Sequence, residues 1–398
     1  MHSPMADRVM RIAYPMRVDA LSKPGGDVLQ VRRYIEEGAR AGDDGGPLFA
    51  GELLTDLRAG FTDFDLVHLT NLDRPADTWQ AMRSAQGAGK PIVLSPIHHS
   101  YEEIERFERY GRGGVVGAVS GGLGFQRLEH LRGLVRSVSD PKLLRSVAAV
   151  LGRGMRRAQR EILAASQRVL LLSSHEREAL LRDVGAVPQE KFVLLRNGMD
   201  AAADFDANDA QQHAARDADV CVVGRIEPRK NQLGILRALG GLGVRAVFVG
   251  AMNPNHREYG RLFVREVEAT GCQWLGAVTH EETLGWMRRA RVHVSASWFE
   301  VLSMVDIEAH GAGCVVVASL CGGSREVLGE RAEYADPGSE ESLRRAIVRA
   351  LERSRERLGA NGSAENEMSR IELPTWKDVA RQLAGIYREV LAECGSQR

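Results

Sequence analysis

Eight short apolar runs, each rich in β-branched residues, recur along this chain and constrain its fold more than any other feature. They lie at Val9 to Ala13, Leu66 to Leu69, Ile92 to Leu94, Val169 to Leu172, Val220 to Val223, Val244 to Val249, Val292 to Val294 and Val315 to Val317. Segments of helical period separate most of them. Strands alternating with helices imply parallel sheets wound through right-handed crossovers. With 398 residues and about 150 residues per domain as a guide, the chain should form two doubly wound α/β domains.

The rhythm breaks between Asp200 and Asp219, where AAADFDANDAQQHAARDAD is polar, rich in Ala and Asp and without apolar period. This stretch, 200–219, is the expected linker. It divides a first domain, 1–199, from a second, 220–374. The final amphipathic segment, 375–395, is expected to cross back onto the first domain as a helix.

Composition excludes several classes. The 53 basic and 53 acidic residues balance, so no global charge asks for nucleic acid. No run reaches the roughly 18 to 20 apolar residues of a membrane span, and the start lacks a signal-peptide run, so a cytoplasmic protein is expected. The five cysteines are odd in number and show no CxxC spacing, which speaks against a disulfide framework and a zinc site.

Chemistry-bearing residues gather in the second half. In VCVVGRIEPRKNQ a strand runs into a turn at Gly224, with Arg225 just beyond it and Lys230 five residues on. Ligands of open α/β sheets bind beyond the carboxyl ends of the strands, so two cations there suit a diphosphate; ordinary solvated cations are the alternative. In SASWFEVLSMVDIEAHGAG, Glu300 follows a strand and Glu308 falls about a turn and a half inside the next helix. A helix start near Ser303 would aim the amides of Ser303 and Met304 at a phosphate. Carboxylates beside a phosphate would repel it unless occupied by hydroxyl donors, and sugar hydroxyls are such donors.

GRIEPRKNQ, the pair Glu300 and Glu308 in SWFEVLSMVDIEAHGAGCVVVAS, GGSREVL and YADPGSEESL together resemble the C-terminal domain of family 4 glycosyltransferases. KPGGD at Lys23 to Asp27, SSHEREALL and LLRNGMD extend the resemblance over nearly the whole chain. It implies the GT-B fold, two Rossmann-like domains facing a central cleft, and metal-independent transfer with retained anomeric configuration. The donor would be a nucleotide-diphosphate sugar, with UDP or GDP expected, and the acceptor a sugar or lipid-linked hydroxyl in bacterial surface polysaccharide or glycolipid synthesis. No cofactor is implied.

The resemblance also implies roles. Arg225 and Lys230 would neutralise the diphosphate, Glu300 would hold hydroxyls of the transferred sugar, and Glu308 the ribose diol. Gly25 and Gly26 would let the first loop approach the phosphates, and Ala277 and Val278 would seat the base on backbone groups. Gly224, Asn197, Ser303 and Met304 complete the expected donor contacts. His98, in PIVLSPIHHSYEE, is the expected ligand contact from the first domain; a loop histidine stacked on Tyr101 and a metal site with Glu102 or Glu103 are the alternatives. The usual glycine and proline positions after the first glutamate are here Val301, Leu302 and Ser303, which leaves a bulkier loop.

Other patterns carry less. The Asp-x-Asp triplets at 63–65, 204–206 and 217–219 precede a strand or lie in the linker and read as structural. Seven glycines in 111–124 form no dinucleotide fingerprint, and no P-loop exists. Residues 127–160 hold nine Lys/Arg against two Asp/Glu, either a solvated helical face or a surface for anionic lipid at the inner membrane face. A GT-B-shaped nucleotide-sugar epimerase and an inactive sugar-binding protein are the competing functions.

Overall fold

The computed structural model describes residues 8–21, 25–40, 42, 45–56, 60–113, 117, 127, 129, 144–199, 216–359, 371 and 373–396. Lys23, most of the glycine-rich run, residues 200–215 of the expected linker and most of 128–143 in the basic stretch lie outside them. The chain forms two compact units: Met1–His99 with Phe125–Met199 and Leu373–Arg398, and Ser100–Gly124 with Asp200–Glu372.

In the first unit the strands β1 (Arg11–Pro15), β2 (Ala50–Leu54), β3 (Leu66–Thr70), β4 (Ile92–Ser95), β5 (Arg168–Leu171) and β6 (Phe192–Leu194) form a sheet in the order β2-β1-β3-β4-β5-β6. Every described pairing is parallel. Alternate side chains enter opposite layers, as the strand's period of two requires. Ile12, Tyr14, Leu66 and Val93 pack under the helix Gly26–Ala39 and the last helix, Trp376–Gly395. Ala13, Val67, Ile92 and Leu94 pack under Pro75–Gly87, Met155–Ala165 and Ser174–Asp183.

The last helix begins with a capping box, Thr375 and Asp378 exchanging bonds between side chain and backbone. Its apolar face buries Val379, Leu383, Ile386 and Val390 in the first core. A buried polar chain also ties it down. The Tyr387 hydroxyl meets the Tyr14 hydroxyl at 2.8 Å and His68 Nδ1 at 2.7 Å, and His68 Nε2 meets Ser95 Oγ at 2.8 Å.

The second unit repeats the plan with β7 (Ala218–Val223), β8 (Ala246–Val249), β9 (Gln273–Trp274), β10 (Ala290–Val294), β11 (Val315–Ser319) and β12 (Ala332–Ala335), in the order β12-β11-β10-β7-β8-β9. Val220, Val222, Val292, Val294, Val315 and Val317 face a layer that includes Leu343 and Ile347 of the helix Glu340–Gly359. Cys221, Val247, Val316 and Ala318 face Leu284, Met287 and Ala309. The five cysteines are all free thiols.

The eight apolar runs of the sequence coincide with β1, β3, β4, β5, β7, β8, β10 and β11. These are the inner strands of both sheets. The edge strands β2, β9 and β12 lack such a run, and the edge strand β6 carries only the short Phe192–Leu195; an edge is only half covered. The burial of β2 and β6 is accordingly partial.

One segment departs from sequence order. Ser100–Gly124, expected inside the first domain, groups with the second unit. Its helix Tyr101–Arg106 runs on into a π-helical turn, Phe107–Gly111. Among the described residues, no helix is long and apolar enough to cross a membrane.

Candidate functional site

In the second unit, β7 ends at Val223 and the chain turns at Gly224, whose amide donates to Val249 O at 2.9 Å. Arg225 is exposed just past the strand end. Pro228–Lys230 then make one turn of 3-10 helix, closed by Asn231 in the left-handed region at φ 56°. Asparagine tolerates that conformation, and its Nδ2 donates to Pro337 O at 2.8 Å, fixing the turn to the loop after β12.

This turn presents two cations to one carboxylate. Lys230 Nζ is hydrogen-bonded to Glu300 Oε1, and Arg229 Nη1 lies 3.2 Å from the same oxygen. Arg229 also reaches Glu227 Oε1 at 3.2 Å and lies over the Phe299 ring at 5.4 Å. Burial opposes the charge on Arg229, but the Glu300 and Glu227 carboxylates outweigh it and raise its pKa further. The guanidinium is therefore a fixed cation.

Glu300 lies in the loop that follows β10. The helix after it starts at Met304, with Ser303 as its cap: Ser303 Oγ accepts from Asp306 N at 3.4 Å. Asp306 Oδ2 in turn accepts from Ser324 Oγ at 2.8 Å, joining that helix start to the next one. Glu308, one turn on, is partly buried, and His280 Nε2 lies 3.9 Å from its Oε1. Ala277 and Val278 follow Gly276, whose carbonyl accepts from Gly250 N at 2.8 Å. Gly224, Arg225, Lys230, Ala277, Val278, Glu300, Ser303, Met304 and Glu308 thus all belong to one unit and lie on loops or a helix start beyond carboxyl strand ends.

Gly322 shapes the Glu300 loop from behind. It has φ 90°, and a Cβ there would sit 2.6 Å from Glu300 O and 3.0 Å from Glu300 Cβ. Only glycine fits both the conformation and the space.

The remaining expected residues belong to the first unit. Gly25 caps the helix Gly26–Ala39 in extended conformation, and Asp27 of its first turn faces Arg17 at 3.8 Å. Asn197 follows β6 by three residues.

His98 requires a correction. Its side chain is 0% exposed, with Nδ1 2.6 Å from Asp73 Oδ1 and Nε2 3.2 Å from Asp183 Oδ2. A ring enclosed by two carboxylates is an anchor and does not present itself to a ligand. Burial pulls the His98 pKa down, but the Asp73 charge and the bonds to Asp183 and Asp73 raise it to about 9. Both ring nitrogens are therefore donors in a buried imidazolium. The neighbouring His99 side chain is 23% exposed, with Nδ1 2.9 Å from Asp73 Oδ2. The loop carries strain: Ile97, next to His98, has φ 45°, an outlier for a β-branched residue.

Sequence reasoning missed Arg229, Asp73, Asp183 and His280. Arg229 could have been found from its place beside Lys230 in PRK. Asp183 could not, because 85 residues separate it from His98. Among the described residues, no group of three His, Cys, Asp or Glu side chains is placed to hold a metal ion.

Comparison with known proteins sets this geometry in context. Residues 204–365 match the family model described as glycosyl transferases group 1. A curated relative, the MMP alpha-(1->4)-mannosyltransferase of Mycolicibacterium hassiacum, is 24% identical over 246 residues, which are 59% of this chain and 57% of that protein. The match thus spans little more than half of the relative's length. Among solved structures, the sucrose-phosphate synthase of Thermosynechococcus elongatus aligns with a TM-score of 0.66 at 17% identity, covering 96% of this chain and all of that one. HepE of Anabaena, solved in complex with UDP, aligns with a TM-score of 0.58 at 16% identity over 98% and 99% of the two chains.

Proposed function

We propose that this chain, whose residues 204–365 match the glycosyl transferases group 1 model and which has the GT-B fold, transfers a hexose from a nucleotide-diphosphate sugar to a hydroxyl acceptor with retention of configuration. The observation that carries the reading is the cluster of Arg229, Lys230 and Glu300 beyond the carboxyl ends of β7 and β10. A carboxylate clamped by cations next to the capped helix start at Ser303 is suited to hold sugar hydroxyls beside a bound diphosphate.

In this reading Arg225 and Lys230 neutralise the diphosphate, the amides of Ser303 and Met304 add helix-end donors, and Glu308 holds the ribose diol. Glu300 holds hydroxyls of the transferred sugar. The backbone at Ala277 and Val278 seats the base. The leaving diphosphate oxygen takes the proton of the acceptor hydroxyl as the new glycosidic bond forms on the same face. Catalysis then rests on positioning and on stabilising the charge that grows on that oxygen. No cofactor or metal enters this scheme. UDP is favoured as carrier by the likeness to a fold solved with UDP, with GDP as the other candidate, and assembly of bacterial surface polysaccharide or glycolipid is the proposed setting.

A thermal-shift panel of UDP-, GDP- and ADP-sugars tests the donor. A ligand at ~100 times its dissociation constant adds about 2.7 kcal/mol of stability. Incubation of the stabilising donor with sugar acceptors should then yield a new glycoside of retained configuration. A rearranged nucleotide sugar with no glycoside would overturn transfer in favour of epimerisation, and no binding to any donor would overturn the reading altogether.

A further inference from the structure

The segment Tyr101–Gly111 enters the chain about a hundred residues before the rest of the second unit, yet it packs directly behind the Glu300 loop. Phe107, 6% exposed, places its ring 5.5 Å from Phe299 and 6.3 Å from Trp298. Arg106 lies over the Trp298 ring at 5.7 Å and pairs with Asp336 at 2.5 Å. Glu103 Oε1 accepts from the amide of Gly322, the residue that closes the loop from behind, at 3.2 Å. The π-helical turn ends at Gly111, where a Cβ would fall 2.5 Å from Trp298 Cε2. An indole pressed against bare backbone leaves no room for another side chain.

These contacts converge on both partners of the Lys230–Glu300 pair. Trp298 and Phe299 immediately precede Glu300, and the Trp298 amide donates to Arg229 O at 2.9 Å. Asp336, held by Arg106, precedes Pro337, whose carbonyl receives Asn231 next to Lys230. A shift of this segment would move the carboxylate and its cation together.

We propose that Tyr101–Gly111 is a positioning arm for the sugar-holding carboxylate, with Phe107 and Arg106 setting where Glu300 stands. Neither residue touches the reacting atoms. The inference rests on the functional reading above. It separates two parts of donor recognition: the arm governs the end held by the Lys230–Glu300 pair, diphosphate and sugar, and leaves the nucleoside end, held by Glu308 and the loop at Ala277, untouched. Misplacement of a reacting group by about 1 Å costs on the order of 100-fold, so loss of the arm should be visible in turnover.

The test uses the full chain with UMP and GMP as nucleoside probes, and with UDP-glucose and GDP-mannose as sugar-bearing probes. Phe107→Ala and Arg106→Ala should lower donor turnover at least ~10-fold while nucleoside monophosphate affinity stays within about twofold of wild type. Phe107→Leu, which keeps apolar bulk, and Arg106→Lys, which keeps the charge facing Asp336, should recover part of the loss and guard against a misfolded alanine variant. Lys230→Ala is the control for the underlying reading. Arm variants with wild-type turnover beside a crippled Lys230→Ala would sink the arm alone. Equal turnover in all variants would sink the functional reading, and a proportional loss of nucleotide affinity would reduce the arm to general scaffolding.

Discussion

Lys230 and Glu300 are paired with each other: the lysine Nζ sits on Oε1 of a carboxylate that Arg229 also holds at 3.2 Å. The two residues assigned to opposite ends of a donor therefore form one electrostatic unit. Under the proposed function, an arriving diphosphate would compete with Glu300 for Lys230, while Arg229 holds the carboxylate in place.

That sharing predicts a severe effect of Lys230→Ala on chemistry and a mild one on folding. Losing one preorganised cation at developing charge typically costs about 2.7 to 4 kcal/mol, or ~100 to 1000-fold in turnover. Arg229 still compensates Glu300 in the variant. Steady-state rates with the best donor, alongside a melting curve, check both halves.

Glu300→Gln should behave differently. It releases Lys230 from its carboxylate partner, so nucleoside diphosphate affinity should hold or improve while sugar transfer falls. Isothermal titration with UDP and GDP reads the first effect and product formation the second. Weaker diphosphate binding in this variant would contradict competition for the lysine.

The acid–histidine cluster of the first unit predicts a pH dependence of stability. His98 has a folded pKa raised to about 9 from 6.5, so its contribution is complete below about pH 6.5 and disappears as pH rises through 9. Glu176 is raised to about 7 by burial, partly offset by bonds from the Leu172 and His98 amides, and its ionisation adds a fall between about pH 4.5 and 7. Asp73 acts in the other direction: burial pushes it up, but the His98 charge and bonds from both histidines hold it below the usual range, so its contribution is lost in acid. The melting temperature should decline from pH 7 to 9, and His98→Gln should flatten that slope. Parallel wild-type and variant profiles over this window would count against the buried imidazolium.

Tyr387→Phe tests what holds the last helix. Burial lowers the His68 pKa to about 3, so the ring is neutral and depends on Tyr387 and Ser95 for its bonds. Removing one hydroxyl strands His68 Nδ1 and the Tyr14 hydroxyl in the core, at a cost of about 1 to 3 kcal/mol. The shift in the urea midpoint at unchanged slope measures it.

The placement of the candidate residues of the second unit was legible for a local reason. Gly224, Arg225 and Lys230 follow one strand, and Glu300, Ser303 and Glu308 span another strand–loop–helix turn, so each set is fixed by its own stretch of backbone. Arg229 escaped because its importance lies in a contact 71 residues away, and His98 was misjudged because a strand-end histidine looks the same whether it faces a ligand or two carboxylates.

The sequence by itself determined the two sheets through their inner strands, which are buried on both faces and must be apolar throughout. It also determined the helix start at Ser303, where cap and first turn are neighbours in the chain. Tertiary structure decided the edge strands, whose half-exposed residues carry no distinctive pattern, and the burial of His98 between Asp73 and Asp183. It also decided that Tyr101–Gly111 belongs behind Glu300, since an aromatic contact between Phe107 and Trp298 leaves no periodic trace in either segment.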